Sequence, residues 1–142
     1  MRFFAACLGV VAVLGLISGA RAAVDGSEPV ICASVNILEC VPEGTCQRIS
    51  AEEAGIPRFL RVDFAGQKIT RTRPNGDDVI SPIERSETVD GRLILQGAED
   101  GFEDIIDGIG WSVSIDEETG DMVITGSGEG VAFVIFGACT VY

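Results

Sequence analysis

Histidine is missing from all 142 residues, and lysine plus arginine number only 10 against 22 aspartates and glutamates. The first absence removes the usual general base near neutral pH, the commonest metal-ligating side chain and the middle member of Ser and Cys triads. The second argues against a nucleic-acid partner, since a strongly negative surface repels phosphate backbones and anionic membranes and favours cations. Close cysteine pairs of the C-x2-C kind, which structural zinc sites use, are also lacking. The cysteines at 32, 40, 46 and 139 are separated by 7, 5 and 92 residues, so zinc is not expected. No pattern in the chain asks for another cofactor. No repeat and no linker divides it, and the roughly 120 residues beyond the front segment suffice for one compact domain.

Apolar sequence is abundant, and it is concentrated first at the front. Met1-Arg2 supplies a positive start, Phe3 to Ile17 is an unbroken run of apolar and small residues, and Ala20-Arg21-Ala22 before Ala23 has the small-x-small form of a cleavage site. Residues 1–22 are therefore expected to be a secretory signal peptide. A spanning anchor is the competing reading, because the run approaches the ~20 residues a membrane helix needs; the exit through small residues into an acidic flank favours cleavage. Cys7 lies inside the run rather than at its end, where a lipid-modified cysteine would stand, and leaves with the signal. The short signal looks bacterial, so the remainder is expected in the periplasm or outside the cell, free of the membrane. That remainder carries all 22 acidic and eight of the ten basic side chains, a net charge of −14.

Four cysteines in an oxidising compartment imply two disulfides. Val30 to Leu38 reads as a strand, and the eight-residue step from Cys32 to Cys40 would span roughly 26 Å, far more than a disulfide tolerates. Of the two remaining connectivities the favoured one is Cys40–Cys46, closing the Val41-Pro-Glu-Gly-Thr45 loop, with Cys32–Cys139 tying the first strand to the last. The second bond would hold the two ends of a sheet together.

Residues 23–29 read as a loose polar lead-in and 30–142 as a single β domain. Alternation marks strands near 30–38, 58–64, 68–73, 79–83, 92–96, 110–116, 121–125 and 131–139. In the 58–64 pattern Leu60, Val62 and Phe64 share a face with Arg58, opposite Phe59, Arg61 and Asp63. Asn75-Gly76 and Asp90-Gly91 supply turns, and Pro82 puts its strand at an edge because it cannot donate to a ladder. Ser50-Ala-Glu-Glu53 has capping-box form and predicts one short helix near 50–55, stopped by Gly55 and Pro57. Val131 to Cys139 is apolar at both alternating sets of positions, the pattern of a central strand buried on both sides. The fold class expected is all-β: an antiparallel meander of about eight strands closing into a small barrel or sandwich.

The segments V-I-C at 30–32, R-F-L-R-V-D-F at 58–64, G-R-L-I-L-Q-G at 91–97, W-S-V-S-I-D-E-E-T-G-D-M at 111–122 and A-F-V-I-F-G-A-C-T at 132–140, with the loop cysteine pair, resemble an uncharacterised family of small secreted bacterial β-proteins. The resemblance implies export and a β domain over Val30 to Thr140, and it carries no activity. A looser likeness is to lipocalin-type barrels, which are all-β meanders with a chain-end disulfide. Lipocalins carry G-x-W in the first strand, whereas the single Trp here, Trp111, lies late in the chain.

Three stretches are candidates for function. Glu99, Asp100, Glu103, Asp104 and Asp107 put five carboxylates into nine residues, the oxygen-rich kind of set that calcium takes, although the glycine and aromatic of Asp100-Gly-Phe-Glu-Asp104 break the calcium-loop pattern. A solvated loop is the plainer reading. Phe102, Ile105, Ile106 and Ile109, within or beside that acidic stretch, either fold over the barrel mouth or meet a partner. Finally, every basic residue after the signal falls between Arg48 and Arg92, whereas ten acidic residues and no basic one follow Leu95. Cross-strand pairing explains part of such an asymmetry; a dipolar binding surface is the other reading. The function expected is that of a binding protein for a cationic macromolecule, for instance an inhibitor of a basic hydrolase, with the Gly97–Gly110 loop as first suspect and Glu99, Asp100, Phe102, Glu103, Asp104, Ile105, Ile106 and Asp107 as its binding residues. A carrier of a small apolar ligand is the alternative, and a carboxylate-dependent hydrolase is the third reading.

Overall fold

The computed structural model describes residues 23–73, 75–100 and 108–142. They form ten strands: β1 Val30–Cys40, β2 Cys46–Ile49, β3 Phe59–Asp63, β4 Lys68–Thr72, β5 Asp78–Pro82, β6 Arg85–Val89, β7 Arg92–Glu99, β8 Ile109–Asp116, β9 Asp121–Gly128 and β10 Val131–Val141. All pairs are antiparallel, in the order β5-β4-β3-β1-β10-β9-β8-β7-β6, with β2 paired to β1 off this path. The sheet curls into a half-barrel.

The two strands beyond the expected eight have weak sequence signals. β2 is four residues long and lies on the free edge of β1, where Cys40 and Cys46 stand directly opposite. β6, Arg-Ser-Glu-Thr-Val, is exposed at every position, so no apolar alternation betrays it. Its Asp90-Gly91 turn, with φ of +48° and +73°, brings Val89 opposite Arg92, as a two-residue hairpin of this composition requires.

The sheet opens in the middle of the chain rather than at its ends. β1 pairs with β10 over almost its full length, Val30 facing Val141. The two edges of the main strand path, β5 and β6, are consecutive in sequence. Pro82 on β5 has no N–H to continue a ladder, and the seam is closed by packing instead: β5 lies against β7, with Ser81 buried and Gly97 under the indole of Trp111. The short Ile83-Glu84 link is stitched to both sides, Ile83 N donating to the Gln67 carbonyl at 2.8 Å and Glu84 N to that of Gln96 at 2.9 Å.

The concave face holds the core. Val30 and Cys32 of β1, Leu60 and Val62 of β3, Ile69 of β4, Leu93 and Leu95 of β7, Val113 and Ile115 of β8, Met122 of β9 and Cys139 of β10 form one buried cluster. Both disulfides are present, Cys32–Cys139 inside that cluster and Cys40–Cys46 at the β1–β2 turn. Such bonds belong to an oxidising, non-cytoplasmic environment.

Four expectations need correction. No helix exists among the described residues: the capping box forms, Ser50 N donating to Glu53 Oε2 at 2.8 Å and Glu53 N to Ser50 Oγ at 3.1 Å, but Gly55 and Pro57 stop the chain after a single turn. The lead-in is not loose throughout, because Val24 is buried in the core and its N–H donates to the Glu117 carbonyl at 2.9 Å. β10 is central by position but buried on one face only. Ile135 and Cys139 are buried while Phe136 is 41% exposed, since no second layer covers the convex side. Arg58 does not share the buried face of Leu60, because β3 begins one residue later and the alternation does not reach back to it.

Candidate functional site

The acidic stretch singled out by sequence is described only at its edges; Phe102, Glu103, Asp104, Ile105, Ile106 and Asp107 lie outside the described residues. Of the rest, Asp100 is exposed, and Glu99 is occupied. Its carboxylate sits at the end of β7, accepts a 2.5 Å hydrogen bond from Ser81 Oγ and is paired with the Arg71 guanidinium of β4. Ser81 is 2% exposed and the two charged side chains about a quarter exposed. Glu99 thus bridges the seam from β7 to β5 and β4, a structural clasp rather than a free ligand-binding group. Ile109 directly opposes Glu99 and rests on the bare backbones of Gly126 and Gly128. Among the described residues no three His, Cys, Asp or Glu side chains come close enough to hold a metal ion.

The structure assembles a second acidic surface that sequence reading left scattered. Backbone hydrogen bonds join three segments at one end of the sheet: Val24 N to Glu117 O and Glu117 N to Gly91 O, both 2.9 Å, with Gly120 N to Asp116 O at 2.8 Å. Together they present Asp25, Asp90, Asp116, Glu117, Glu118 and Asp121. Among the described residues one cation answers them directly, Arg92, whose Nη2 lies 3.4 Å from Asp116 directly across the β7–β8 pair. The signal for this cluster was partly visible in Asp116-Glu-Glu-Thr-Gly-Asp121, but nothing local tells that Asp25 and Asp90 join it.

Two of these carboxyls are held ionised. The backbone N–H and then the hydroxyl of Thr119, followed by the Glu118 N–H and the charge of Arg92, pull the pKa of Asp116 below its ordinary value. The hydroxyl and the N–H of Ser27 do the same for Asp25. A carboxyl with a depressed folded-state pKa contributes stability that is complete above its unfolded pKa and is lost as pH falls through the folded one. The contribution of Asp116 therefore fades only in acid, below about pH 4. Thr119→Ala is expected to move the Asp116 pKa back up toward the ordinary value, read from its side-chain carbonyl shift in an NMR titration; an unmoved titration would show that Thr119 does not hold the charge.

The basic half is arranged differently. Asp63 and Lys68 stand opposite each other on β3 and β4, 3.6 Å apart, and Arg61 reaches Asp78 at 3.6 Å across β4. Cross-strand pairing therefore absorbs part of the charge asymmetry. On the convex face beside these pairs lies a cavity of about 570 Å³ where the Ser50–Pro57 segment stands against β3 and β4. Neither protein-family models nor curated proteins match the chain.

Proposed function

We propose that the protein is an exported binding protein, periplasmic or secreted, that acts through its acidic end on a cationic macromolecule. The observation that carries this reading is the convergence of three backbone-linked segments into one anionic surface with, among the described residues, a single directly paired cation. The lowered pKa values of Asp25 and Asp116 extend those two charges further into acid than an ordinary carboxyl would hold them. Inhibition of a basic hydrolase is one concrete form, because a cationic enzyme is drawn to such a field at long range.

The two other readings have less support. A carrier of lipocalin-like shape needs an interior cavity, whereas much of the concave face is taken up by the packed core. A carboxylate hydrolase needs a general acid of raised pKa, whereas among the described residues the three carboxyls with shifted values, Asp25, Glu53 and Asp116, are all lowered.

The test is binding of a basic hydrolase such as lysozyme to the purified, disulfide-bonded protein. Association is expected at about 10 mM salt and is expected to weaken steeply by about 150 mM, as the screening length shortens. Charge reversal at Glu117, Glu118 and Asp121 should slow association about tenfold or more. Binding unaffected by salt and by the charge reversal would reject the acidic end as the interface.

A further inference from the structure

We infer that the convex face of β3 and β4 carries a second site, of opposite sign, that docks a long-chain alkyl carboxylate. The site is the 570 Å³ cavity between the Ser50–Pro57 segment and the sheet, a size typical of small-ligand clefts. Register places it on the outer surface: Ile31, Arg61 and Thr70 are direct partners across β1, β3 and β4, alternating with the buried Cys32, Leu60 and Ile69.

Two kinds of side chain line it. Ile31, Ile56, Pro57 and Phe59 supply apolar surface, and Phe59 is 60% exposed, a large ring that none of the described residues covers. Arg58, Arg61 and Arg73 supply charge. Three of the eight cations beyond residue 22 thus gather at one concavity of a chain that is otherwise strongly anionic. Arg61 shares Asp78 at 3.6 Å, while Arg58 and Arg73 have no ion pair among the described residues. Glu52 also lines the cavity, one carboxylate against three guanidiniums. The apolar wall is preformed: the capping box of Ser50 and Glu53 and the 2.9 Å bond from Ile56 N to the Ala51 carbonyl hold the turn that carries Ala51, Ile56 and Pro57.

This lining selects the class of ligand. A guanidinium fork matches a carboxylate bidentately, and the apolar wall matches an alkyl chain. A peptide fits less well, because β3 and β4 are paired on both sides and offer no free edge to satisfy a peptide backbone. A cationic amphiphile would gain the same chain contact and meet three like charges. The protein's overall negative charge opposes any anion at a distance, so the affinity must come mainly from the chain.

The experiment is calorimetric titration of the purified, disulfide-bonded protein with dodecanoate below its micelle concentration, alongside decanoate, acetate and dodecyltrimethylammonium. Dodecanoate is expected to bind one-to-one, with affinity falling up to about fourfold for each buried methylene removed, and acetate is expected to show no binding. The cationic amphiphile should bind at least about tenfold more weakly, and the variant R58Q/R61Q/R73Q should lose a similar factor for dodecanoate. These arginines are exposed or lie at the cavity rim, and Phe59→Ser gives a second, independent loss through the apolar wall. Dodecanoate should also shift the amide resonances of Ile31, Phe59 and Thr70. Equal affinity for the two head groups, unchanged affinity in both variants, shifts confined to other strands, or displacement of dodecanoate by an acidic peptide of higher affinity would each overturn the assignment. Because the acidic end lies elsewhere, binding of a basic hydrolase should survive these substitutions, so the two proposals fail separately.

Discussion

Removing the Cys32–Cys139 bond, with both residues changed to alanine, is expected to lower stability by about 5 kcal/mol, against about 2 kcal/mol for removing Cys40–Cys46. The difference follows from loop length. The bonds close loops with sequence separations of 107 and 6, and the unfolded chain gains more freedom when the longer loop is released. Location adds to the ordering, because Cys32 and Cys139 sit inside the core as direct partners on β1 and β10, whereas Cys46 is exposed on a short strand. Urea unfolding of the two double variants, followed by far-UV circular dichroism, checks the ordering. Equal midpoints, or a larger loss from the Cys40–Cys46 variant, would show that the chain-end bond is not what limits the unfolded state.

Gly97→Ala is expected to cost about 1–3 kcal/mol, the range for overpacking a filled site. A Cβ there would meet the Pro82 carbonyl oxygen at 2.5 Å and the indole of Trp111, including Cε2 at 2.8 Å. One obstacle is backbone and the other is a large ring wedged against the core, so neither yields cheaply. Trp111 is the single tryptophan, and its fluorescence reports on the seam directly: displacement of the indole should shift emission to longer wavelength. Gly110→Ala is the control, because nothing lies within 4 Å of its added methyl, and it should leave both stability and emission nearly unchanged. A Gly97→Ala protein with normal stability and emission would mean that the seam has slack.

The sequence makes legible what depends on alternation and on cysteine geometry. Leu60 and Val62 are buried while Phe59 and Arg61 are exposed, as period two requires. The strand between Cys32 and Cys40 keeps those two from pairing, and of the two connectivities left the favoured one, Cys40–Cys46 with Cys32–Cys139, is the one formed; Pro82 does lie on an edge strand. Features without a local signal escape. β6 is paired only because the Asp90-Gly91 hairpin returns it to β7, and the open seam depends on Gly97 and Trp111 meeting a proline far away in sequence. Glu99 looked like one of a run of free acids until Arg71 and Ser81, 28 and 18 residues earlier, were seen beside it. The apolar groove escapes for the same reason: Ile31, Phe59 and Arg73 share a surface only after three strands have paired.

The location of the seam has a consequence for chain order. Val30 and Val141 are partners, while along the main strand path, with β2 set aside, the one sequential step that skips hydrogen-bonded neighbours is the Ile83-Glu84 link between the outermost strands. A circularly permuted chain, its present ends fused and new ones opened at that link, would build the same architecture with the main strand path running in sequential order from β6 round to β5. Its contacts would be more local, which is the condition for faster folding. In the natural order the earliest and latest portions of the chain must find each other before the centre of the sheet exists.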